Sequence, residues 1–221
     1  MTKETCRAWS AQRLRRWFCG ADQIAYNYAQ SDQDIFVLSM LDGLRNGTYV
    51  EIGAGWPLHI SNTALLELDL GWHGISVDYQ DCYPDQWQAA GRKTLVKANG
   101  LTVDFEQLLS GMPQVIDYLS VDCEPAAVSL EILQRLPGNC RFRVITFEHE
   151  CYCEGPAVKQ ASREYLASLG YQLAVNNISQ LGTSVDYEDW WYHPDLVDPA
   201  RALLHTHVDD TVKNYQTYLY K

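Results

Sequence analysis

Residues 48–55, Thr-Tyr-Val-Glu-Ile-Gly-Ala-Gly, restrict the fold of this 221-residue chain more than any other stretch. The β-forming residues end at two glycines, Gly53 and Gly55, and either Ser61 or Asn62 suits the N-cap of a following helix. Glycines at the end of a buried strand let the backbone turn sharply and come close to a ligand. The pattern therefore predicts a strand, a glycine turn and a helix that bind a nucleotide-like ligand.

The same turn narrows the type of ligand. A dinucleotide site has the pattern Gly-x-Gly-x-x-Gly, whereas here Gly53-Ala54-Gly55 is followed by Trp56-Pro57-Leu58, without the third glycine. No Gly-Lys-Ser/Thr follows either, which excludes a phosphate-binding P-loop. A ligand without a pyrophosphate fits better, and we predict S-adenosylmethionine.

Predicted strands alternate with predicted helices along the chain, which is typical of an α/β fold with a mostly parallel sheet. The strands cover residues 48–52, 75–78, 93–98, 116–122, 142–147, 171–175 and 185–192, and the helices cover residues 7–19, 35–41, 61–67, 126–136, 157–169 and 199–219. We expect one domain over residues 1–221. Residues 1–46 form its N-terminal helical extension or lid, residues 47–195 its Rossmann-like core, and residues 196–221 its C-terminal helix.

Composition bears mainly on partners and location. The net charge of −11 argues against nucleic acid and against an anionic membrane, so we predict neither as a partner. Charged residues interrupt the first 16 positions, which predicts no signal peptide. No apolar run approaches the roughly 20 residues of a membrane span. We therefore expect a cytoplasmic protein with reduced cysteines, and we leave a homodimer open.

Several motifs occur in a fixed order along residues 26–195. They are QSDQD at 30–34, GTYVEIGA at 47–54, SNT at 61–63, LE at 66–67, GWHGI at 71–75, DYLSVDCE at 117–124, EIL at 131–133, ITFEHE at 145–150 and EDW at 188–190. This ordered set resembles the FkbM-type family of S-adenosylmethionine-dependent class I methyltransferases. The resemblance implies a Rossmann-like class I fold, with helices on both faces of a seven-stranded, mostly parallel sheet whose last strand is antiparallel. It also implies methyl transfer, usually to an oxygen of a sugar or small metabolite.

The predicted cofactor contacts lie at strand ends. Glu51 and the turn Gly53-Ala54-Gly55 are expected at the methionine half of S-adenosylmethionine, where open backbone admits the ligand. Asp78 ends the next strand, and its carboxylate can accept both ribose hydroxyls. Asn99 ends the third strand and is placed to reach the adenine amino group.

Three further residues complete the predicted cofactor set. Asn62 follows the glycine turn, and Asp122 ends the fourth strand. Gln33 belongs to the N-terminal lid and is predicted to close over the cofactor. Helix capping by Ser31 and Asp34 is the alternative interpretation of that lid sequence.

Acidic residues at the ends of the fourth and fifth strands carry the predicted chemistry. His149 is the predicted base, because it titrates near neutral pH, and Glu148 and Asp122 are its predicted catalytic partners. We assign no metal ligands. The same cluster suits Mg²⁺ or Mn²⁺, which would activate a vicinal diol instead.

We predict O-methylation of a small-molecule or sugar acceptor. Glu124, Glu148 and Glu150 leave N-methylation of a cationic small molecule open. The resembling family often has Asp-x-Glu-Gly-x-Glu where this chain has Pro125 and Ala127 in place of the glycine and the last acid. That departure leaves open a non-catalytic binding or scaffold protein with the same fold.

Overall fold

A computed structural model describes residues 6–81, 83–180 and 182–221. The first part of the chain contains β1 (Arg7–Ala8), β2 (Tyr26–Asn27), α1 (Gln33–Met40), β3 (Thr48–Ile52), α2 (Ala64–Leu70), β4 (His73–Asp78), α3 (Pro84–Ala89) and β5 (Leu95–Lys97). It continues with α4 (Phe105–Leu108), β6 (Val115–Val121), α5 (Ala126–Arg135), β7 (Arg141–Glu148), α6 (Cys151–Glu154) and α7 (Pro156–Ser168). The last elements are β8 (Gln172–Ser179), β9 (Glu188–Tyr192), α8 (Pro199–His205), β10 (Lys213–Asn214) and α9 (Tyr215–Leu219).

The main sheet has eight strands in the order β10-β8-β9-β7-β6-β3-β4-β5. All of its strands run parallel except β9, which lies antiparallel between β7 and β8. The mostly parallel sheet and its antiparallel late strand are therefore confirmed. The strand count differs from the predicted seven, because the chain returns to the sheet after α8 and adds β10 beside β8.

Consecutive strand residues belong to two different hydrophobic cores. Tyr49 and Trp190 lie in one core, and Val50 and Trp191 lie in the other. Because side chains alternate along a strand, the two cores cover opposite faces of the sheet. The first core packs α1, α2, α8 and α9 against the sheet, and the second packs α4, α5 and α7.

The predicted helix over residues 7–19 does not form. The segment pairs as β1 with β2 and then makes a short 3₁₀ helix, Ala11–Arg13. Its side chains bind the far end of the chain instead: Arg15 Nε donates to Thr217 O at 3.1 Å, and Arg16 Nη1 donates to Tyr218 O at 2.6 Å. These long-range contacts override the local helical pattern.

The predicted C-terminal helix is interrupted after His205. The backbone N–H of His207 donates to Ala174 O of β8 at 2.7 Å, so the chain leaves the helix to join the sheet edge. Asn176 Nδ2 then donates to Asp209 O at 2.7 Å. A contact with β8 therefore divides the predicted helix into α8 and α9.

The helix starts also differ from the predicted caps. In α1 the N-cap position belongs to Asp32, in a left-handed conformation, while the Asp34 carboxylate accepts the N–H groups of Tyr28 and Ile35. In α2 that position belongs to Thr63. Across the described ranges, no helix is long and apolar enough to cross a bilayer.

Candidate functional site

A cavity of about 490 Å³ opens at the edge of the sheet where β3, β4, β5 and β6 end. The loops after these four strands form its walls. In open α/β sheets, ligands bind in the crevice outside the carboxyl ends of the strands. The fold therefore presents a ligand-sized cavity where the sequence predicted the cofactor.

The glycine turn after β3 forms one wall of this cavity. Gly53 has a φ of 83°, and a Cβ added there would lie 1.7 Å from the carbonyl oxygen of Asp122. Only glycine allows the two loops to come this close. The N–H groups of Gly53 and Ala54 both donate to Val77 O, at 3.0 and 3.2 Å. The turn is thus fixed to β4 with its bare backbone at the cavity, and Gly55 continues the same wall.

Asp78 lies in the cavity wall at the end of β4. Its Oδ2 accepts the N–H of Gly55 and its Oδ1 accepts the N–H of Gln80, both at 2.9 Å. A carboxylate offers about four lone-pair sites, so acceptor capacity remains for a ligand. The two backbone bonds hold the carboxylate in one orientation.

Asn99 and Asp122 also line the cavity. Asn99 is exposed, and its Oδ1 accepts the N–H of Leu101 at 2.9 Å, which fixes its side chain. Asp122 follows β6, next to Cys123, which lines the cavity as well. The structure thus brings together six of the predicted cofactor residues, namely Gly53, Ala54, Gly55, Asp78, Asn99 and Asp122.

Glu51 lies outside the cavity wall. Its Oε2 accepts hydrogen bonds from Thr63 at 2.7 Å and from Ser76 at 2.9 Å, and burial raises its pKa. The next residue, Ile52, lines the cavity. Since consecutive strand residues face opposite sides, the carboxylate of Glu51 is directed away from the site predicted for it.

Asn62 and Gln33 are also buried away from the cavity lining. Asn62 Nδ2 donates to Ser120 Oγ at 3.0 Å. Gln33 Nε2 donates to Glu188 Oε2 at 3.0 Å, so the predicted lid residue contacts β9. Both amides therefore make contacts within the protein, whereas the sequence predicted that they would contact the cofactor.

The three predicted catalytic residues divide into a pair and a separate residue. Glu148 donates a hydrogen bond to Asp122, whereas His149 is fully buried with its Nε2 3.7 Å from Asp189 Oδ1. His149 Nδ1 accepts the backbone N–H of Cys151 at 3.2 Å. Glu148 and His149 are consecutive at the end of β7 and face opposite sides, so this geometry does not bring His149 to the cavity.

Asp122 and Glu148 form a pair of neighbouring carboxyls with unequal proton affinity. Desolvation raises the pKa of both carboxyls, and the negative charge of Asp122 raises the pKa of Glu148 further. The hydrogen bond from Glu148 opposes the rise at Asp122. Glu148 therefore keeps its proton to higher pH than Asp122 does.

Glu188 adds a third carboxyl beside this pair. It lies directly opposite Glu148 in the antiparallel register of β7 and β9. Burial raises the pKa of Glu188 to about 8; hydrogen bonds from Trp190 and Gln33 oppose the rise, and the charge of Asp122 adds to it. No role was predicted for Glu188, which entered the sequence analysis as part of a predicted strand and of the EDW motif at 188–190.

The described residues offer no ligand set for the Mg²⁺ or Mn²⁺ ion that the sequence analysis left open. Among the residues that the structure describes, no group of three or more His, Cys, Asp or Glu side chains is arranged to hold a metal ion. The physical reason is again the alternation along β7, which separates His149 from Glu148 and Asp122.

Three cavity residues that were not predicted directly follow predicted ones. Trp56 follows Gly55, Tyr79 follows Asp78, and Cys123 follows Asp122. Adjacency to a strand end was the available signal for these three. Ile60 had no such signal, because it reaches the cavity through the course of its loop.

No protein-family model and no curated protein sequence matches the chain. Solved structures do match it. A putative rRNA-methylase from Clostridium thermocellum has a TM-score of 0.52 at 12% identity, covering 75% of this chain and 96% of that chain. The human methyltransferase 10 domain containing protein has a TM-score of 0.50 at 15% identity, covering 74% and 81%. A DNMT2 variant from Spodoptera frugiperda has a TM-score of 0.50 at 14% identity, covering 76% and 56%.

This is a Rossmann-like methyltransferase fold. The comparison confirms the predicted fold class, while membership of the FkbM-type family stays a prediction. The exclusion of nucleic acid is wrong, because a protein with this methyltransferase fold is described as an rRNA-methylase. Net charge alone was too weak a basis for that exclusion, since it averages over the whole surface and says little about one cleft.

Proposed function

We propose that the protein is an S-adenosylmethionine-dependent methyltransferase. The observation that carries the proposal is the cavity at the carboxyl edge, lined by the glycine turn, Asp78 and Asn99 in a methyltransferase fold. Its volume of about 490 Å³ is within the usual range for small-molecule sites. The donor set fits the cofactor: bare backbone at Gly53 and an oriented carboxylate at Asp78 with acceptor capacity left for a diol.

The roles follow from these positions. Gly53 and Gly55 would hold the methionine end, Asp78 the ribose hydroxyls, and Asn99 the adenine. When bound, S-adenosylmethionine supplies an electrophilic methyl group. The remaining tasks of the protein are to align the acceptor and to take the proton that its nucleophile releases.

Asp122 is the proposed proton acceptor. It lines the cavity, and it is the member of the pair with Glu148 that ionises first as pH rises. Glu148 donates a hydrogen bond to Asp122, and this bond holds the Asp122 carboxylate in place. This assignment replaces His149, which is buried against Asp189 on the other side of β7.

We propose a polar small molecule or sugar as the acceptor, methylated on a hydroxyl. Two carboxyls support this choice, Asp122 and Glu124, both of which line the cavity. They can accept hydrogen bonds from hydroxyl groups. Nucleic acid is the competing acceptor, since a fold neighbour is described as an rRNA-methylase.

The test uses methyl-labelled S-adenosylmethionine with three acceptor pools from the source cells: small metabolites, RNA and DNA. We expect label in the metabolite pool, on oxygen by mass spectrometry, with wild type and much less label with Asp78→Ala. Label on nitrogen would replace the hydroxyl acceptor by an amine, and label in RNA or DNA would overturn the small-molecule proposal. Failure to bind either S-adenosylmethionine or S-adenosylhomocysteine would overturn the methyltransferase proposal itself.

A further inference from the structure

One wall of the cavity, residues 55–63, carries two exposed apolar side chains. We call this stretch the wall segment. Trp56 and Ile60 line the cavity, and they are 44% and 46% exposed. A ligand in the cavity would cover these two apolar side chains, which favours a role for them in ligand binding.

The backbone of the wall segment is held in an unfavourable conformation. Ile60 has a φ of 50°, in the left-handed region that β-branched residues rarely adopt. Such conformations persist only where the surroundings fix the chain on both sides, and they concentrate at ligand sites. The wall segment therefore needs contacts on both sides of Ile60 that hold its backbone in place.

Arg92 supplies three of these contacts, to Pro57, Ser61 and Thr63. It lies after α3 and is almost fully buried. Its hydrogen bonds run from Nε to Glu67 Oε2 at 2.7 Å, from Nη1 to Pro57 O and Ser61 Oγ at 2.8 Å each, and from Nη2 to Thr63 Oγ1 at 2.6 Å and Tyr49 OH at 3.4 Å. A guanidinium has five N–H donors, so this set uses its full capacity.

The same guanidinium fixes the start of the wall segment through a stacked ring. Its Cζ lies 4.0 Å from the centre of the Trp87 ring, and Trp87 Nε1 donates to Gly55 O at 2.9 Å. Contacts at Gly55, Pro57, Ser61 and Thr63 therefore hold the segment on both sides of Ile60. Lysine cannot reproduce this arrangement, because it lacks the planar group that stacks and bonds in several directions.

We propose that Arg92 is a positioning residue for ligand binding. It holds the wall segment so that Trp56 and Ile60 stand at the cavity before the ligand arrives, which removes the ordering cost from the binding step. The inference rests on the proposed function, because the expected ligand is an S-adenosyl compound.

The test compares Arg92→Lys with Arg163→Lys as a matched control. Arg163 is partly buried and donates to the Asp189 carboxylate at 2.6 and 2.9 Å and to Asn177 Oδ1 at 2.8 Å, so its hydrogen bonds go to β8 and β9 and not to the wall segment. Both variants should lower the melting temperature. We expect Arg92→Lys alone to weaken S-adenosylhomocysteine binding by about tenfold or more in calorimetry. Amide hydrogen exchange over residues 56–62 should also become faster in that variant alone.

A second variant covers the case in which Arg92→Lys does not fold. Ile60→Gly keeps every contact of Arg92 and relieves the backbone conformation, since glycine adopts positive φ freely. It should melt no lower than wild type and still bind S-adenosylhomocysteine more weakly. A purely structural role for the wall segment would instead leave the affinity of this variant unchanged.

The outcomes separate the two proposals. Wild-type affinity in Arg92→Lys, equal losses in Arg92→Lys and Arg163→Lys, or wild-type affinity in Ile60→Gly would overturn the positioning role and leave the methyltransferase proposal standing. Absence of S-adenosylhomocysteine binding by the wild-type protein would overturn both.

Discussion

Glu148 and Glu188 are direct cross-strand partners at the carboxyl edge of the sheet, next to Asp122. Desolvation penalises the charged form of both side chains, and the negative charges of Asp122 and Glu188 add to that penalty at Glu148. The raised pKa values of both glutamates are the response: each holds its proton to higher pH than an exposed glutamate would. This relationship gives the first prediction.

Glu188→Gln should flatten the dependence of stability on pH. Burial raises the pKa of Glu188 from 4.5 to about 8, so between these values the folded state binds more protons than the unfolded state. The stability contributed by the protonated side chain is complete below pH 4.5 and is lost as pH rises through about 8. Gln keeps an acceptor for Gln33 and Trp190 and does not ionise.

The measurement is urea unfolding of wild type and Glu188→Gln at several pH values across that window. The free energy of unfolding of the variant should increase relative to that of wild type as pH rises. The difference should grow by up to about 1.4 kcal/mol per pH unit for a fully buried site. Glu131→Gln, at an exposed position on α5, serves as the control and should run parallel to wild type. A difference in the free energy of unfolding between Glu188→Gln and wild type that does not change with pH would contradict the raised pKa of Glu188.

Asp122→Asn should remove the proposed proton acceptor while preserving its shape. We expect turnover to fall by roughly 10²–10⁴-fold, the usual contribution of general-base catalysis. His149→Gln is the comparison, because the sequence favoured His149 while the structure places it against Asp189. Below its melting temperature that variant should keep nearly full turnover. The reverse ranking of the two variants would return the base role to His149.

Asp78→Asn should weaken cofactor binding without unfolding the protein. The amide oxygen still accepts one backbone N–H, but the charge that strengthens bonds to ribose hydroxyls is lost. Hydrogen bonds to charged groups contribute about 1.5–3 kcal/mol each, so affinity for S-adenosylhomocysteine should fall by about tenfold or more. Asp81→Asn, at a nearby exposed position, should bind like wild type in the same titration calorimetry. Equal affinities in all three proteins would move ribose recognition elsewhere.

Gly53→Ala should destabilise the protein more than Gly155→Ala does. The two glycines have nearly the same φ, 83° and 82°, so both variants carry a similar conformational penalty of about 1–3 kcal/mol. Only at Gly53 would the new Cβ meet another atom, the carbonyl oxygen of Asp122, whereas nothing lies within 4 Å at Gly155. Chemical unfolding measures the difference, and equal losses would show that the two loops separate easily.

The parts of the site that follow from local pattern were predictable. Gly53 and Asp78 end strands whose β-forming residues are contiguous, and the carboxyl ends of parallel strands meet at one edge. Which of two neighbouring residues faces the cavity was not predictable, as Glu51 and His149 demonstrate. That choice depends on which helices cover which face, and a shift of one position reverses it.

The terminal segments were not predictable for a different reason. Arg15 and Arg16 suit a helix locally, yet their partners are Thr217 and Tyr218, about 200 positions away. Pattern within a short window carries no information about such contacts. The additional strand of the main sheet, β10, was missed for the same reason. It forms only because the chain comes back to the sheet after α8 and pairs with β8.

The reversed direction of β9 determines which connections reach the carboxyl edge of the sheet. A parallel strand contributes its last residues to the carboxyl edge, but β9 contributes its first, Glu188. The connection from β8 to β9 therefore joins the loops after β3, β4, β6 and β7 at that edge, while the connection after β9 leaves from the opposite one. A change in the length of the β8–β9 connection would therefore alter the surroundings of Glu188 and Asp122, while the loops after β3, β4 and β5 stay as they are.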